Sequence, residues 1–225
     1  MSPERSLFVF DLDGTLLDSI GDLVVAVNRL VAELGGRPLH HGEVAKMVGE
    51  GASLLVRRAL EASGITGDPA PALPRFLEIY DAVLPGATRP YPGVVEMLQS
   101  LAPAAPMAVL TNKPTDSAVR ILSLLALDRF FTRIVGGDGP VRRKPDPAGL
   151  VGLAAEAGVD PRSTWLIGDS MVDLLTAHAA ATRVCIVRYG FGFAGFDHSL
   201  LRGGEVFADH PADVTTALLG RRHGD

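Results

Sequence analysis

Short apolar runs punctuate the chain, and each stops at a cluster of polar residues. Leu7–Phe10 is wholly apolar and is followed at once by Asp11 and Asp13. Four further runs follow, at Met107–Leu110, Arg133–Val135, 165–167 and 184–187. An apolar run of this length, without alternation, marks a strand buried on both faces, as in a parallel sheet. Segments with helical spacing lie between them, near Val94–Leu101, 117–125, Ala148–Ala157 and Met171–Ala180. Strands and helices in alternation predict βαβ units and one parallel sheet. Val206–Ala208 and 211–219 would add an edge strand and a closing helix.

The alternation breaks once. Residues 11–106 separate the first two strands and show no strand pattern. Within them, 20–34 carries Leu23, Val27, Leu30, Val31 and Leu34 at helical spacing. Stretches 43–48, 52–63 and 72–84 are further predicted helices. A crossover needs only about a dozen residues, so the surplus predicts a small helical domain inserted after the first strand. Proline-rich 68–74 would connect two of its helices, and 85–92 would be the return linker.

Composition narrows the class. A chain of 225 residues suits one large domain or two smaller ones. A net charge of −5 opposes a dedicated nucleic-acid binder. The lone Cys185, inside an apolar run, excludes a disulfide framework and reads as a small buried hydrophobe. No apolar stretch approaches the roughly 20 residues that span a bilayer, and 7–10 is too short for a signal peptide. The expectation is a cytoplasmic protein without nucleic-acid or membrane partners.

Ligands bind beyond the carboxyl ends of the strands in an open parallel sheet. There the sequence places Asp11-Leu12-Asp13-Gly14-Thr15, then Thr111-Asn112-Lys113-Pro114, then Lys144-Pro145, then Gly168-Asp169 with Asp173 one helical turn on. Carboxylates gathered at one site stay ionised together only around a cation. Oxygen ligands without His or Cys suit a hard cation, for which Mg²⁺ is the natural choice. A metal and a lysine facing an aspartate are the means of phosphoryl transfer. Asp18 and Ser19 read as helix caps, Lys144 as functional and Lys113 as an ordinary loop lysine. His40 and His41 read as loop residues, and Phe191, Phe193 and Phe196 as packing.

These four motifs, in this order, resemble those of the haloacid dehalogenase-like superfamily over nearly the whole chain. The resemblance implies an α/β fold, a Rossmann-like parallel sheet core with strand order 5-4-1-2-3 and an inserted α-helical cap domain. Residues 1–17 and 86–225 would be core, and 18–85 cap. By position, Asp11 would be the nucleophile and Asp13 the acid and base. Thr111 and Asn112 would hold phosphate, and Lys144 would tie the nucleophile to it. Mg²⁺ would rest on Asp11, the Asp13 main-chain carbonyl and Asp169, with Asp173 orienting its water ligands.

The finer text, Gly136-Gly137-Asp138 and Tyr189-Gly190 included, is similar to phosphoglycolate phosphatases. Their substrate loop is matched by Val48-Gly49-Glu50-Gly51, so Gly49 and Gly51 become substrate-binding candidates. Two departures stand out. Val44-Ala45-Lys46-Met47 lacks the arginine usual before that loop, and the helix after the fourth motif runs Ala179-Ala180-Ala181-Thr182 where it usually ends in Ala-Gly. Lys46 and Arg57 are the cap cations considered for a substrate carboxylate.

The reading is thus a Mg²⁺-dependent phosphatase acting on a small phosphorylated metabolite, 2-phosphoglycolate foremost, as monomer or homodimer. Other or broader substrates (sugar phosphate, nucleotide, pyrophosphate) stay open. Asp13 disfavours a dehalogenase or phosphonate hydrolase. Leu23, where a phosphomutase would carry a cap histidine, disfavours that class. A non-catalytic phosphate sensor is opposed by the intact motif set.

Overall fold

The chain begins with β1 (Leu7–Phe10) and a two-residue β2 (Leu17–Asp18). Four helices follow: α1 (Ile20–Glu33), α2 (His41–Ala45), α3 (Ala52–Ala62) and α4 (Ala72–Val83). The return runs through β3 (Arg89–Pro90) into α5 (Val94–Leu101), β4 (Met107–Leu110) and α6 (Thr115–Leu124). Next come β5 (Arg133–Val135), α7 (Ala148–Ala157), β6 (Thr164–Gly168) and α8 (Met171–Ala180). The chain closes with β7 (Arg183–Val187), β8 (Val206–Ala208) and α9 (Pro211–Gly220). The structure is a computed structural model that describes residues 5–220. The outer ends of the expected core segments, 1–4 and 221–225, lie outside the described residues.

Six strands form one parallel sheet in the order β5-β4-β1-β6-β7-β8. Its first five strands keep the expected order, read from the opposite edge, and β8 extends it. Every side chain of β1 is buried, because both faces of the sheet are covered. Leu7 and Val9 join Leu150 and Leu153 of α7 and Leu174 of α8. Phe8 and Phe10 point the other way, toward Val94 and Leu98 of α5, Ile121 of α6 and Val214 of α9. That two-sided burial is why these strands lack alternation. Cys185 is fully buried in β7, as its apolar neighbours predict.

The four helices between β2 and β3 bury their own apolar faces together, α1 packing on α2, α3 and α4. In α1, Leu23, Val27, Leu30 and Val31 are buried. Leu34 is 47% exposed, because the helix stops at Glu33.

Sequence patterning showed no strand in 11–106, whereas β2 and β3 form an antiparallel ribbon pairing Leu17 with Pro90 and Asp18 with Arg89. Two residues, one opposite a proline, are too few to give a periodic signal. The ribbon joins the way out to the way back. Asp22, buried in the first turn of α1, reinforces it by accepting from the Ala87 and Thr88 amides at 2.6 and 3.0 Å and the Thr88 hydroxyl at 2.7 Å.

Ala181 ends α8 with a φ of 53°, a left-handed conformation that glycine adopts without strain. The strain of roughly 1–2 kcal/mol is partly offset by glycine's greater unfolded-state freedom. Ala181→Gly should therefore stabilise the fold by about 0.5–1 kcal/mol, read as a higher thermal midpoint. Asp22→Ala strands two amides and a buried hydroxyl. Urea titration should show a loss of about 2–4 kcal/mol.

Candidate active site

Four strand ends converge where β1 gives way to Asp11. The Asp11 amide donates to the Ile167 carbonyl at 2.8 Å, which continues the β1–β6 ladder into the loop. Its carboxylate Oδ1 lies 2.9 Å from Lys144 Nζ. The same ammonium meets Asp173 Oδ1 at 2.6 Å, and both lysine and Asp173 are buried. Asp173 is fixed from its other oxygen. Ser170 donates its amide at 3.1 Å and its hydroxyl at 2.6 Å, a capping box that starts α8.

Asp169 approaches from the end of β6. Its Oδ2 accepts the Gly192 amide at 2.8 Å, and Oδ1 lies 3.4 Å from the Thr15 hydroxyl. A Cβ on Gly14, whose φ is 87°, would overlap this carboxylate. The glycine of the first motif therefore makes room for the aspartate of the last. Oxygen atoms of Asp11, Asp169 and Asp173 lie within 4.8 Å of one another.

The electrostatics show what this proximity costs. Burial, with Asp173 adding repulsion, outweighs Lys144 and lifts the Asp11 pKa to about 6. Burial, then Asp173 and Asp11, raises Asp169 well above the ordinary carboxylate range. Burial disfavours the Lys144 ammonium, but Asp11 and Asp173 more than offset it and its pKa is raised. Asp11, Asp13, Asp169 and Asp173 stand against the ammonium groups of Lys113 and Lys144, an excess of two negative charges. That excess, with oxygen donors only, fits a divalent cation beside Asp11 and Asp169, with Asp173 close by.

Asp13 faces elsewhere. It accepts from the Ser19 hydroxyl at 2.6 Å and lies 2.9 and 3.0 Å from Lys113 Nζ. Ser19 makes no side-chain cap on α1, so its predicted capping role gives way to holding Asp13. Lys113 corrects the reading as an ordinary loop lysine. It is buried, and its Nζ donates to Tyr80 Oη at 2.7 Å. A solvated lysine and a buried one look alike in sequence, and the contact that distinguishes them comes from α4.

Thr111 and Asn112 follow β4 and line a cleft that opens from Asp11 and Asp13 toward the inserted helices. The Asn112 amide group donates to Gly49 and Lys144 carbonyls, both at 2.9 Å, so it joins the inserted segment to the sheet. Gly49 and Gly51 line the same cleft, as the loop motif predicts. Gly51, at a φ of 96°, brings the loop against the Asn112 carbonyl, where a Cβ would stand 3.2 Å away. Lys46 and Arg57 are not among the cleft's lining residues, and Arg57 faces solvent beside Glu61. Tyr80 was missed in the sequence, because at helical spacing after Phe76 it reads as core.

A family model described as haloacid dehalogenase-like hydrolase matches residues 8–187. The chain belongs to that family. Among curated proteins, this hydrolase is 38% identical over 193 residues to a phosphoglycolate phosphatase of Agrobacterium fabrum, covering 84% of this chain and 83% of that one. It is also 38% identical over 217 residues to a phosphoglycolate phosphatase of Cereibacter sphaeroides, covering 95% and 97%. The crystal structure of a predicted phosphoglycolate phosphatase from Haemophilus somnus superposes with a TM-score of 0.88 at 30% identity, over 96% of this chain and 99% of that one. Among the described residues, no helix is long and apolar enough to cross a membrane.

A divalent cation at the three aspartates should stabilise this hydrolase. At about 100 times its dissociation constant the gain is about 2.7 kcal/mol, or a rise of about 5–10 °C in thermal midpoint. Asp169→Asn should lose that rise while being no less stable than the parent without metal, since it removes a buried charge. Thermal scans with and without the cation check both.

Proposed function

We propose that this chain is a Mg²⁺-dependent phosphatase that hydrolyses 2-phosphoglycolate to glycolate and phosphate through an aspartyl-phosphate on Asp11. The observation that carries the reading is the Asp11 carboxylate, held by Lys144 beside Asp169 and Asp173 and bordering an open cleft. The names of the relatives supply the substrate.

In this reading an Asp11 oxygen attacks phosphorus and the bond to the ester oxygen breaks. Asp13, which lines the cleft, enters the step in its protonated form and gives that proton to the departing alkoxide. It then takes a proton from the water that attacks the aspartyl-phosphate, and the bond from phosphorus to Asp11 breaks. Thr111 and Lys144 hold phosphoryl oxygens, Lys144 also keeping the nucleophile in place. Asn112 supports them by fixing the surrounding carbonyls. Asp11, Asp169 and the main-chain carbonyl of Asp13 would hold Mg²⁺, with Asp173 in support, and the cation would supply charge neutralisation and polarisation of the phosphoryl group. Residues 18–85 act as a cap over a core of 1–17 and 86–225, excluding water and reading the leaving group through the Gly49–Gly51 loop.

The test is phosphate release from 2-phosphoglycolate, sugar phosphates, nucleoside monophosphates and pyrophosphate, with Mg²⁺ and with EDTA. The expected result is Mg²⁺-dependent turnover with kcat/KM at least 100-fold higher for 2-phosphoglycolate, roughly 2.7 kcal/mol of differential transition-state binding. Comparable rates across the panel would keep the chemistry and discard the substrate. Asp11→Asn should abolish turnover with the fold intact, and surviving activity would sink the covalent route.

A further inference from the structure

Lys113 and Tyr80 form a polar island in an otherwise apolar part of the cleft. On the side facing the inserted helices the walls are Leu23, Val48, Leu55, Phe76 and Leu77. Among the described lining residues, Lys113 is the cation. Tyr80 Oη accepts from Lys113 at 2.7 Å, and its own O–H proton meets no acceptor among the described residues. Tyr80 is only 2% exposed. A buried tyrosine hydroxyl ordinarily finds a partner for its proton. Burial above all, with Asp13 contributing, pushes Tyr80 up to about 12, so the hydroxyl stays a donor.

A neutral donor beside an ammonium is a receptor for an anion, and its position limits which anion. Lys113 Nζ lies 3.0 and 2.9 Å from the two Asp13 oxygens and 2.7 Å from Tyr80 Oη, so one N–H shared by the Asp13 oxygens and one on Tyr80 would leave the third for an anion in the cleft. Asp13 reaches the leaving oxygen through a hydrogen bond of about 2.8 Å. An oxygen of a carboxylate on the adjacent carbon lies about 3 Å from that leaving oxygen, given ordinary bond lengths. Lys113, Asp13, the leaving oxygen and such a carboxylate then close a four-membered ring of contacts. A carboxylate one carbon further out would overshoot, and a sugar or nucleoside would set hydroxyls against Leu55, Phe76 and Leu77.

We propose that Lys113 and Tyr80 are specificity-determining residues of this enzyme, reading a carboxylate on the carbon that bears the phosphate ester. The substrate class is the phosphate monoesters of 2-hydroxy acids. This deepens the phosphatase reading and rests on it. The Tyr80 ring holds the lysine in register. It stacks on Phe76 at a centroid distance of 5.9 Å, and Lys113 Nζ lies 4.5 Å from its centroid.

The experiment compares kcat/KM for 2-phosphoglycolate with that for 2-hydroxyethyl phosphate, which replaces the carboxylate by an uncharged hydroxymethyl group. The phosphate ester of 3-hydroxypropionate, one carbon longer, is the third substrate. The wild-type enzyme should favour 2-phosphoglycolate over both. Tyr80→Phe keeps the ring stack and should cut the preference about tenfold, mainly through KM for 2-phosphoglycolate. Lys113→Met should cut it further, and Lys113→Arg should restore part of it. If Tyr80→Phe and Lys113→Met slow all three substrates by one common factor, the pair only positions Asp13 and the carboxylate subsite is overturned. A wild-type enzyme that turns over other esters but not 2-phosphoglycolate would instead remove the substrate reading, and this subsite with it.

Discussion

The Lys144 ammonium, buried between Asp11 and Asp173, is the contact on which the arrangement of the sheet's working edge depends. It links three loops that the sequence keeps far apart: the end of β1, the turn before α7 and the start of α8. Each group is costly to bury alone, and removing one partner would leave an uncompensated charge in a low-dielectric site. The pair is therefore poor evidence of stability and good evidence of positioning. One lysine also cannot satisfy the site, since Asp169 adds a further carboxylate, raised well above its ordinary range. A fold that gathers charge in this way is arranged around something it binds.

The second constraint is that the inserted helices and the sheet share their polar contacts. Asn112 belongs to the sheet by position, yet its amide group donates both to the Gly49 loop and to the Lys144 carbonyl. Lys113 belongs to the same loop and is held by Tyr80 of α4. Asp22 of α1 accepts from the returning linker at Ala87 and Thr88. The adjoining residues after β4 thus contact both the sheet's acidic edge and the inserted helices. A shift of α4 would move Tyr80, hence Lys113, hence the hydrogen-bonding of Asp13.

What was legible in the sequence follows from the physics of a parallel sheet. Strands buried on both faces must be short apolar runs, and the polar residues at their ends stand out against them. Asp11, Asp13, Thr111, Lys144 and Asp169 could be found in that way, as could the inserted helices, because a crossover of that length has no other economical explanation. The helix surfaces that face the cleft were not legible. Tyr80 lies on the apolar stripe of α4, where the period that marks a core position also marks a pocket wall. Lys113 needed the knowledge that Tyr80 lies above it. Ser19 carries the chemistry of a helix cap and sits at the start of α1, but its hydroxyl turns back to Asp13. The β2–β3 ribbon is two residues deep, below the length at which alternation can be read.

Lys113 and Lys144 show how one side-chain type serves two tasks. Both are buried, both have raised pKa values, and each pairs with an aspartate of the first motif. Lys144 is enclosed by two carboxylates, so its charge is committed to holding Asp11 and Asp173 in place. Lys113 shares its charge between one carboxylate and a neutral hydroxyl, which leaves it attraction for a further anion. Commitment and availability are set by the second partner in each case, Asp173 or Tyr80. With a neutral hydroxyl instead of a second carboxylate as that partner, the Lys113 ammonium is compensated by one negative charge where Lys144 is compensated by two.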